Sequence, residues 1–369
     1  MNRFYCLLFA ALFLCLPACK KDEDTPPADN SSNNGGGGNS GDGSVYICGR
    51  VNSGGFGDNY PRYWKDGEEH VIGDGSRGQA YEIVVNDEHV IIAGAVYDGN
   101  ATIPCYWVDD EPTELLSYAC GECLARDVFV VGDNDVHIAG HAMDEGVFGS
   151  NQKAMYLHNG VGVELTDGAD PARAHGVHVY NGEVYVCGFE EDGSGGRRLA
   201  KYWVNGTEVV LGDDEENSLA NDIWVEDGDV YVVGYEDIYY EAIDTYIQRP
   251  VLWINGERQL LAGGDTMSEG EATRIFIEND SIYIVGFVEL SGLSNLTSSV
   301  YWINGEAELT YDVSLAVNGT IGLDIHVLNG EVHTVGLWGG STGQLGHYSN
   351  NTAQTDAFYG DAINGICIH

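Results

Sequence analysis

The residues with the most specific chemical spacing are two cysteines separated by two positions, Cys120 and Cys123. Such a pair closes a small disulfide, supplies half of a zinc site, or remains as two thiols. A four-cysteine zinc site needs a second pair, and the sequence contains none. Because disulfides persist in exported proteins, we predict a disulfide if this chain is exported. Two free thiols are the second interpretation and a metal site is the last.

Acidic residues recur near the start of several predicted strands that share one place in a repeat. They are Glu82, Asp127, Asp222 and Asp324. If these strands line a central channel, their carboxylates could bind a cation. A carboxylate at a strand entrance more often accepts backbone hydrogen bonds. The acidic runs 190–192 and 213–216 lack the alternating aspartates and glycine of a calcium loop, so they indicate solvated surface.

No other set of residues has the spacing of a catalytic or metal site. His175 and His178 lie three positions apart, which places them on opposite faces of a strand. A glycan-cleaving enzyme needs two carboxylates about 5–9 Å apart, and among 58 acidic residues such a pair cannot be identified. We therefore predict no catalytic residue, no metal and no cofactor. Whether the chain is an enzyme stays open, with the balance against it.

Large aromatic side chains are concentrated in a variable segment between two predicted strands. They are Tyr235, Tyr239, Tyr240 and Tyr246, with Phe148 and Trp338 in corresponding segments elsewhere. Tyrosine-rich loops provide rigid contact area that suits sugars or protein surfaces. We predict that these six residues bind a ligand. The alternative is that the rings fold back onto neighbouring strands.

A repeat that starts at Val45 must position all of these residues. A glycine ends a predicted second strand at Gly49, Gly94, Gly140, Gly188, Gly234, Gly286 and Gly336. A large side chain marks the third strand at Trp64, Trp107, Leu157, Trp203, Trp253, Trp302 and Tyr348. We expect the tryptophans to be core residues. A period of about 40–50 residues with four short strands per unit is typical of propeller blades.

The sequence therefore predicts an all-β fold, a seven-bladed β-propeller with four-stranded antiparallel blades over residues 45–369. Asn-Gly and Asp-Gly pairs such as Asn181–Gly182 and Asn205–Gly206 predict two-residue hairpins. The segment 230–234, Val-Tyr-Val-Val-Gly, resembles the second strand of NHL-type and seven-bladed bacterial propeller repeats. The segment 202–206, Tyr-Trp-Val-Asn-Gly, is similar to the third strand of HAF-type extracellular repeats. These resemblances imply the fold and leave the function open.

The two ends of the repeat region complement each other. Residues 45–49 resemble a second strand, and residues 362–369 resemble a first strand with nothing after it. We expect the C-terminal strand to be innermost in the N-terminal blade and so to close the ring. This alignment places Cys367 opposite Tyr46 and diagonal to Cys48. That distance is marginal for a disulfide, and apolar filling is the alternative.

The N-terminus has the pattern of a lipoprotein signal. Arg3 precedes an apolar run over 7–16, which is too short for a membrane anchor, and the run ends in Leu-Pro-Ala-Cys at 16–19. This resembles a bacterial lipobox, which implies that residues 1–18 are removed and that Cys19 is lipidated. Residues 19–44 then form a flexible acidic and glycine-rich tether. The acidic cluster at 22–24 resembles a surface-export signal, so we expect an outer-membrane, cell-surface lipoprotein; a plain solvated tether is the alternative.

The charge balance limits the classes of partner that this chain can bind. With 16 Lys and Arg against 58 Asp and Glu, the formal net charge is −42. Such a chain cannot neutralise a phosphate backbone or dock electrostatically on anionic lipid, so membrane contact is expected through the lipid alone. The sequence favours a monomeric, tethered, non-catalytic binding propeller for a glycan or surface protein. A glycan-active enzyme on a propeller scaffold and a structural subunit of a surface complex are the alternatives.

Overall fold

The computed structural model describes residues 43–369 with the exception of several internal segments. The exceptions are 54–57, 87–88, 100, 116–122, 144–151, 194–195, 213–215, 262–268, 290–295, 310–318, 341–342, 351–356 and 360–361. The predicted signal peptide, Cys19 and nearly all of the predicted tether lie outside the described residues. Among the described residues, no helix has the length and apolar character needed to cross a bilayer.

The described strands form seven four-stranded antiparallel sheets, here called blades 1 to 7. Blade 1 contains β1 (Val45–Asn52), β2 (Asn59–Lys65), β3 (Glu68–Val71) and the C-terminal β28 (Ala362–Ile368). Blade 2 contains β4 (Gly78–Val85), β5 (Val90–Tyr97), β6 (Thr102–Val108) and β7 (Glu111–Glu114). Blade 3 contains β8 (Leu124–Val131), β9 (Asp135–Ala142), β10 (Lys153–His158) and β11 (Val161–Glu164). Blade 4 contains β12 (Ala172–Tyr180), β13 (Glu183–Glu191), β14 (Arg198–Val204) and β15 (Thr207–Val210).

The remaining three blades repeat the same order. Blade 5 contains β16 (Ser218–Glu226), β17 (Asp229–Tyr240), β18 (Thr245–Ile254) and β19 (Glu257–Leu260). Blade 6 contains β20 (Gly270–Glu278), β21 (Ser281–Glu289), β22 (Thr297–Ile303) and β23 (Glu306–Leu309). Blade 7 contains β24 (Thr320–Leu328), β25 (Glu331–Gly340), β26 (Gly343–Asn350) and β27 (Ala357–Tyr359). The first strands of neighbouring blades contact one another around a closed ring, in the order β28, β4, β8, β12, β16, β20, β24 and back to β28.

Only six of these sheets are uninterrupted units of four consecutive strands. The predicted seven-bladed propeller must therefore be corrected to six continuous blades, with one further four-stranded sheet formed by the two ends of the chain. In that shared sheet β28 pairs antiparallel with β1, and Tyr46 faces Cys367, so the expected pairing of the termini is confirmed. Cys48 and Cys367 are both buried and form no disulfide, which favours apolar filling over a bond between them.

The hairpin turns have the backbone that their sequences require. Asn181 and Gly182 have φ values of 51° and 78°, and Asn205 and Gly206 have 48° and 80°. Positive φ at both central residues matches the twist of the flanking strands. The described turns of this kind place the first-to-second and third-to-fourth connections on one side of the ring. We call this side the short-turn face and the opposite side the long-loop face.

The recurrent glycine of the second strand lies against an irregularity in the first strand. A Cβ on Gly94 would collide with the carbonyl oxygen of Gln79, and the same collision would occur at the equivalent glycines. The register between β4 and β5 shifts between Ala80 and Glu82. Such a bulge leaves one residue unpaired and redirects its neighbours. The second strand therefore needs a glycine at this position because the innermost strand bulges against it.

Aromatic side chains fill the space between blades. Trp107, Trp203, Trp253 and Trp302 are at most 2% exposed, which confirms their predicted place in the core. Burying a large apolar side chain contributes roughly 1.5–3 kcal/mol, so these positions contribute strongly to holding adjacent blades together.

Candidate binding site at the channel mouth

The carboxylates next to the bulges bond to the backbone of the following blade. The pairs are Asp127 Oδ2 with Val177 N–H at 2.7 Å, Asp222 Oδ2 with Ile275 N–H at 3.0 Å, and Asp324 Oδ2 with Ile366 N–H at 2.7 Å. The backbone-bonding interpretation of these acids is thus confirmed. They lie inside the innermost strands, beside the bulges, and not at the strand entrances that the sequence indicated.

An arginine takes the acidic position in blade 6 and lies among the other blades' carboxylates. Arg274 forms an ion pair with Glu82 and lies 3.2 Å from Asp127, 3.6 Å from Asp222 and 3.4 Å from Asp324. A protein side chain therefore provides the positive charge within this ring. The side chain of Arg274 is 11% exposed, so it occupies the channel at this level.

Burial determines the protonation of this cluster. Burial, together with the charge of Asp324, raises the pKa of Asp127 to about 8. Burial also raises the pKa of Asp222 and of Asp324, and it lowers the pKa of Arg274. One guanidinium cannot neutralise four carboxylates, and unpaired buried charge is costly. The cluster therefore holds protons at neutral pH.

A belt of aromatic rings follows on the short-turn side of Arg274. The belt consists, in order, of the rings of Phe129, His178, Trp224, Phe276 and His326. The distances between the centroids of consecutive rings are 4.6, 4.8, 5.1 and 4.7 Å. Burial lowers the pKa of His178 and of His326 to about 3, so both rings are neutral. His175 contacts Phe189 rather than a ring of the belt. His175 and His178 therefore do not contact each other. The belt and Arg274 together leave the long-loop side as the approach to the channel.

Arginines and a tyrosine surround the channel on that long-loop side, which we call the channel mouth. Arg50 donates to Gln79 Oε1 at 3.1 Å, and Tyr81 donates to the same oxygen at 2.7 Å. The guanidinium of Arg126 lies 6.0 Å from the centre of the Tyr81 ring. Arg173 donates to Gln152 Oε1 at 2.5 Å. Neutral amide and phenol groups thus contact these arginines.

Several polar groups at the mouth have no bonding partner. Within the described part of the chain, the Arg126 guanidinium makes neither an ion pair nor a hydrogen bond. The Nδ1 of His141 and the Nε2 of His175 are buried and make no hydrogen bond with protein atoms. Burial, reinforced by the charges of Arg126 and Arg173, holds the pKa of both histidines well below its usual value. Among the described residues, Arg126 is therefore a positive charge without a paired carboxylate, in a chain whose net charge is −42.

A cavity of about 330 Å³ adjoins the mouth between blades 1, 2 and 3. Its lining includes Arg77, Gln79, Tyr81 and Tyr97. Arg77 lies 4.7 Å from the centre of the Tyr97 ring and 3.4 Å from an oxygen of Asp58. Since Gln79 and Tyr81 belong to both features, the cavity and the cluster around Arg126 form one continuous site.

The four tyrosines of blade 5 lie on an extended β-hairpin and not on an irregular loop. β17 and β18 stay paired as far as Tyr240 and Thr245. Tyr235 is buried, and the Tyr240 hydroxyl accepts a hydrogen bond from Arg249 at 3.0 Å. Tyr239 and Tyr246 are 41% and 54% exposed, with ring centres 5.1 Å apart. The structure thus separates two packed tyrosines from two exposed ones at the hairpin tip.

The remaining predicted site residues have the following positions. Trp338 lies on β25, where it pairs with Thr320 and Leu345. Phe148 and Cys120 lie outside the described residues. Cys123 is buried and forms a disulfide, so the chemistry expected for it is present, while the identity of its partner stays a prediction.

The sequence did not identify Arg126 and Arg274 because the groups around them come from other blades. Glu82 and Arg274 are 192 residues apart. A signal was present for Arg274, since aligning the repeats places a basic residue where four other blades have aspartate or glutamate. For Arg126, the available signal was its place directly before Asp127 in the innermost strand.

Comparison with known proteins supports the fold and leaves the site open. No protein-family model matches the sequence, and no curated protein does either. The β-propeller domain of the Trilobed protease from Pyrococcus furiosus matches with a TM-score of 0.51 and 8% identity, over 85% of this chain and 93% of that one. A polysaccharide lyase of family PL25, an ulvan lyase, has a TM-score of 0.45 and 8% identity, over 78% and 81%. A sialidase from Trypanosoma rangeli in complex with sialic acid has a TM-score of 0.45 and 10% identity, over 82% and 58%. Of these, the match to the Trilobed protease domain supports the β-propeller fold, and at 8% identity it supports the fold alone.

Proposed function

We propose that this chain is a membrane-tethered binding propeller whose channel mouth holds an acidic saccharide. The observation that carries the proposal is the guanidinium of Arg126, which lies beside Tyr81 and pairs with no carboxylate of the described residues. Guanidinium groups bind carboxylate and sulfate oxygens through paired N–H donors. A chain with 58 acidic residues has abundant carboxylates to pair with its arginines, so an arginine without one is available for a ligand.

The shape of the site favours a saccharide over a protein surface. The cavity of about 330 Å³ is concave and lies within the size range of small-molecule sites. Its tyrosine rings offer apolar faces for sugar rings, and Gln79 supplies a polar amide. A flat protein partner would contact the rim without filling this cavity.

The membrane tether is proposed from the sequence alone. The Leu-Pro-Ala-Cys motif at 16–19 and the glycine-rich stretch over 35–38 support a lipid-anchored domain held above a membrane. A surface-tethered propeller with a binding site on one face suits the capture of an extracellular ligand.

The test is to titrate the purified chain with uronate-bearing, sulfated and neutral oligosaccharides. Arg126→Gln should weaken binding of the acidic ligands by at least about tenfold, because hydrogen bonds to charged groups contribute about 1.5–3 kcal/mol. Isothermal titration calorimetry measures the change. Arg62→Gln is the matched control, since Arg62 already pairs with Glu69 on the outer part of blade 1.

Three results would contradict the proposal. Equal affinity for neutral and acidic saccharides would exclude recognition of charge. An unchanged affinity in Arg126→Gln would exclude the channel mouth. A loss of affinity on replacing Tyr239 and Tyr246 with alanine, with Arg126→Gln unaffected, would move the site to the tip of the blade 5 hairpin.

A second candidate function is an enzyme that acts on the same ligand. It is favoured by the unpartnered nitrogens of His141 and His175, because a neutral imidazole can accept a proton from a bound substrate. Incubating the chain with acidic polysaccharides and following their size by gel filtration separates the two functions. A binding protein leaves the polymers intact, and an enzyme shortens them.

A further inference from the structure

We propose that Asp135, His137 and His158, on the short-turn face of blade 3, form a binding site for a transition-metal ion such as Zn²⁺. This site lies at the opposite end of the ring from the channel mouth and is independent of the saccharide proposal. Two imidazoles and one carboxylate are ligands that Zn²⁺ accepts.

The register of one strand pair brings the three residues together. In the pairing of β9 and β10, His137 lies directly opposite His158. Opposed residues of antiparallel strands share a face, and Asp135 precedes His137 by two positions on that face. One potential ligand atom from each of the three residues lies within 4.8 Å of the other two. The site is therefore set by strand pairing rather than by a loop.

The nitrogen atoms are placed for shared coordination. The His137 and His158 rings are stacked, with centroids 4.7 Å apart. Asp135 Oδ1 is 2.5 Å from His158 Nε2, and Asp135 Oδ2 is 3.5 Å from His137 Nε2. The carboxylate thus faces both imidazoles.

An unsatisfied buried nitrogen is the second observation that points to a ligand. His137 is 4% exposed, and its Nε2 makes no hydrogen bond. Its other nitrogen, Nδ1, lies 2.7 Å from the Tyr156 hydroxyl. If that hydroxyl accepts the Nδ1 proton, a lone pair remains on Nε2 and faces Asp135.

Neighbouring groups hold the ligands in orientation. The Tyr156 hydroxyl fixes the His137 ring, and Asn159 Nδ2 donates to Asp135 Oδ1 at 2.9 Å. Outer contacts of this type orient metal ligands and raise affinity. His158 is exposed, which leaves a path for the ion and space for water as a fourth ligand.

Calorimetric titration of the full chain with Zn²⁺, and separately with Ca²⁺, tests the proposal. We expect one Zn²⁺ per chain at this site and no comparable Ca²⁺ binding, because imidazole nitrogen suits zinc whereas calcium prefers oxygen ligands. His158→Ala and Asp135→Asn should each weaken Zn²⁺ binding by at least about tenfold. Zn²⁺ should also raise the melting temperature of the wild type more than that of His158→Ala.

The chain contains a matched control. His89 Nδ1 lies 2.6 Å from Asp109 Oδ2 in blade 2, and in the described residues this pair belongs to no three-residue metal cluster. His89→Ala should leave Zn²⁺ binding unchanged. The proposal is overturned if the wild type binds no Zn²⁺, if His158→Ala binds it equally well, or if His89→Ala loses as much affinity as His158→Ala.

Discussion

The buried charges around Arg274 connect the stability of the ring to pH. Asp127 has a pKa of about 8 in the folded chain, raised first by burial, against about 3.9 for an exposed aspartate. The folded state therefore retains a proton that the unfolded state releases above about pH 4. The contribution of Asp127 to the free energy of unfolding is therefore fully present at low pH and is lost as the pH rises through about 8.

We expect Asp127→Asn to have a shallower decrease in the free energy of unfolding between pH 5 and pH 9 than the wild type. The amide keeps an oxygen for the Val177 N–H, which the aspartate accepts at 2.7 Å, and it does not titrate. Urea denaturation at several pH values measures the difference. Exposed Asp133 provides the control, and Asp133→Asn should follow the wild-type curve. An equally steep loss in Asp127→Asn would show that Asp127 is already ionised in the fold.

At the scale of the strand, β28 contributes both hydrogen bonds and packing to the closure of the ring. Ile363, Ile366 and Ile368 are at most 4% exposed, and Asp324 accepts a hydrogen bond from the Ile366 N–H. Without β28, the edge of β1 would be unpaired, and unpaired strand edges invite association with other chains. The C-terminal strand thus joins blades 7, 1 and 2 into one ring.

Deleting residues 362–369 should lower the melting temperature sharply or prevent folding. A milder variant is Ile366→Ala, which should reduce the free energy of unfolding by about 2–5 kcal/mol through lost burial and a residual cavity. Ile243→Ala is the matched control, because Ile243 is 45% exposed at a hairpin turn. Urea denaturation compares the three full-length proteins. A value for Ile366→Ala within error of the control would contradict the closure role.

The elements that sequence could predict are those set by local turn chemistry or by the period of the repeat. Asn-Gly turns such as Asn205–Gly206, the buried tryptophans and the pairing of Tyr46 with Cys367 all follow from local turn chemistry and period. The extended hairpin ending at Tyr240 was missed because long variable segments carry little pairing information. The ion pairs of Arg274 depend on ring geometry that joins residues far apart in sequence.

At the scale of the whole molecule, charge and tether together define how the propeller would meet its ligand. The net charge of −42 repels acidic polymers at long range, and salt screens that repulsion beyond about 8–10 Å. The arginines at the channel mouth supply short-range attraction for an acidic group. Binding should therefore strengthen from low to moderate ionic strength before screening weakens the contact itself, a profile that titration at several salt concentrations would reveal.

The predicted lipid anchor determines where this binding would take place. If Cys19 is acylated, Cys19→Ser should move the chain from the membrane fraction to the soluble fraction, because a flexible, polar tether has no other membrane affinity. Cys15→Ser is the matched control, since Cys15 lies within the segment expected to be removed. Fractionation followed by immunoblotting measures the partition, and protease treatment of intact cells tests surface exposure separately. Membrane partition of Cys19→Ser equal to that of the wild type would exclude Cys19 as the anchor, whereas loss of the anchor with full saccharide binding would show that tether and channel mouth act independently.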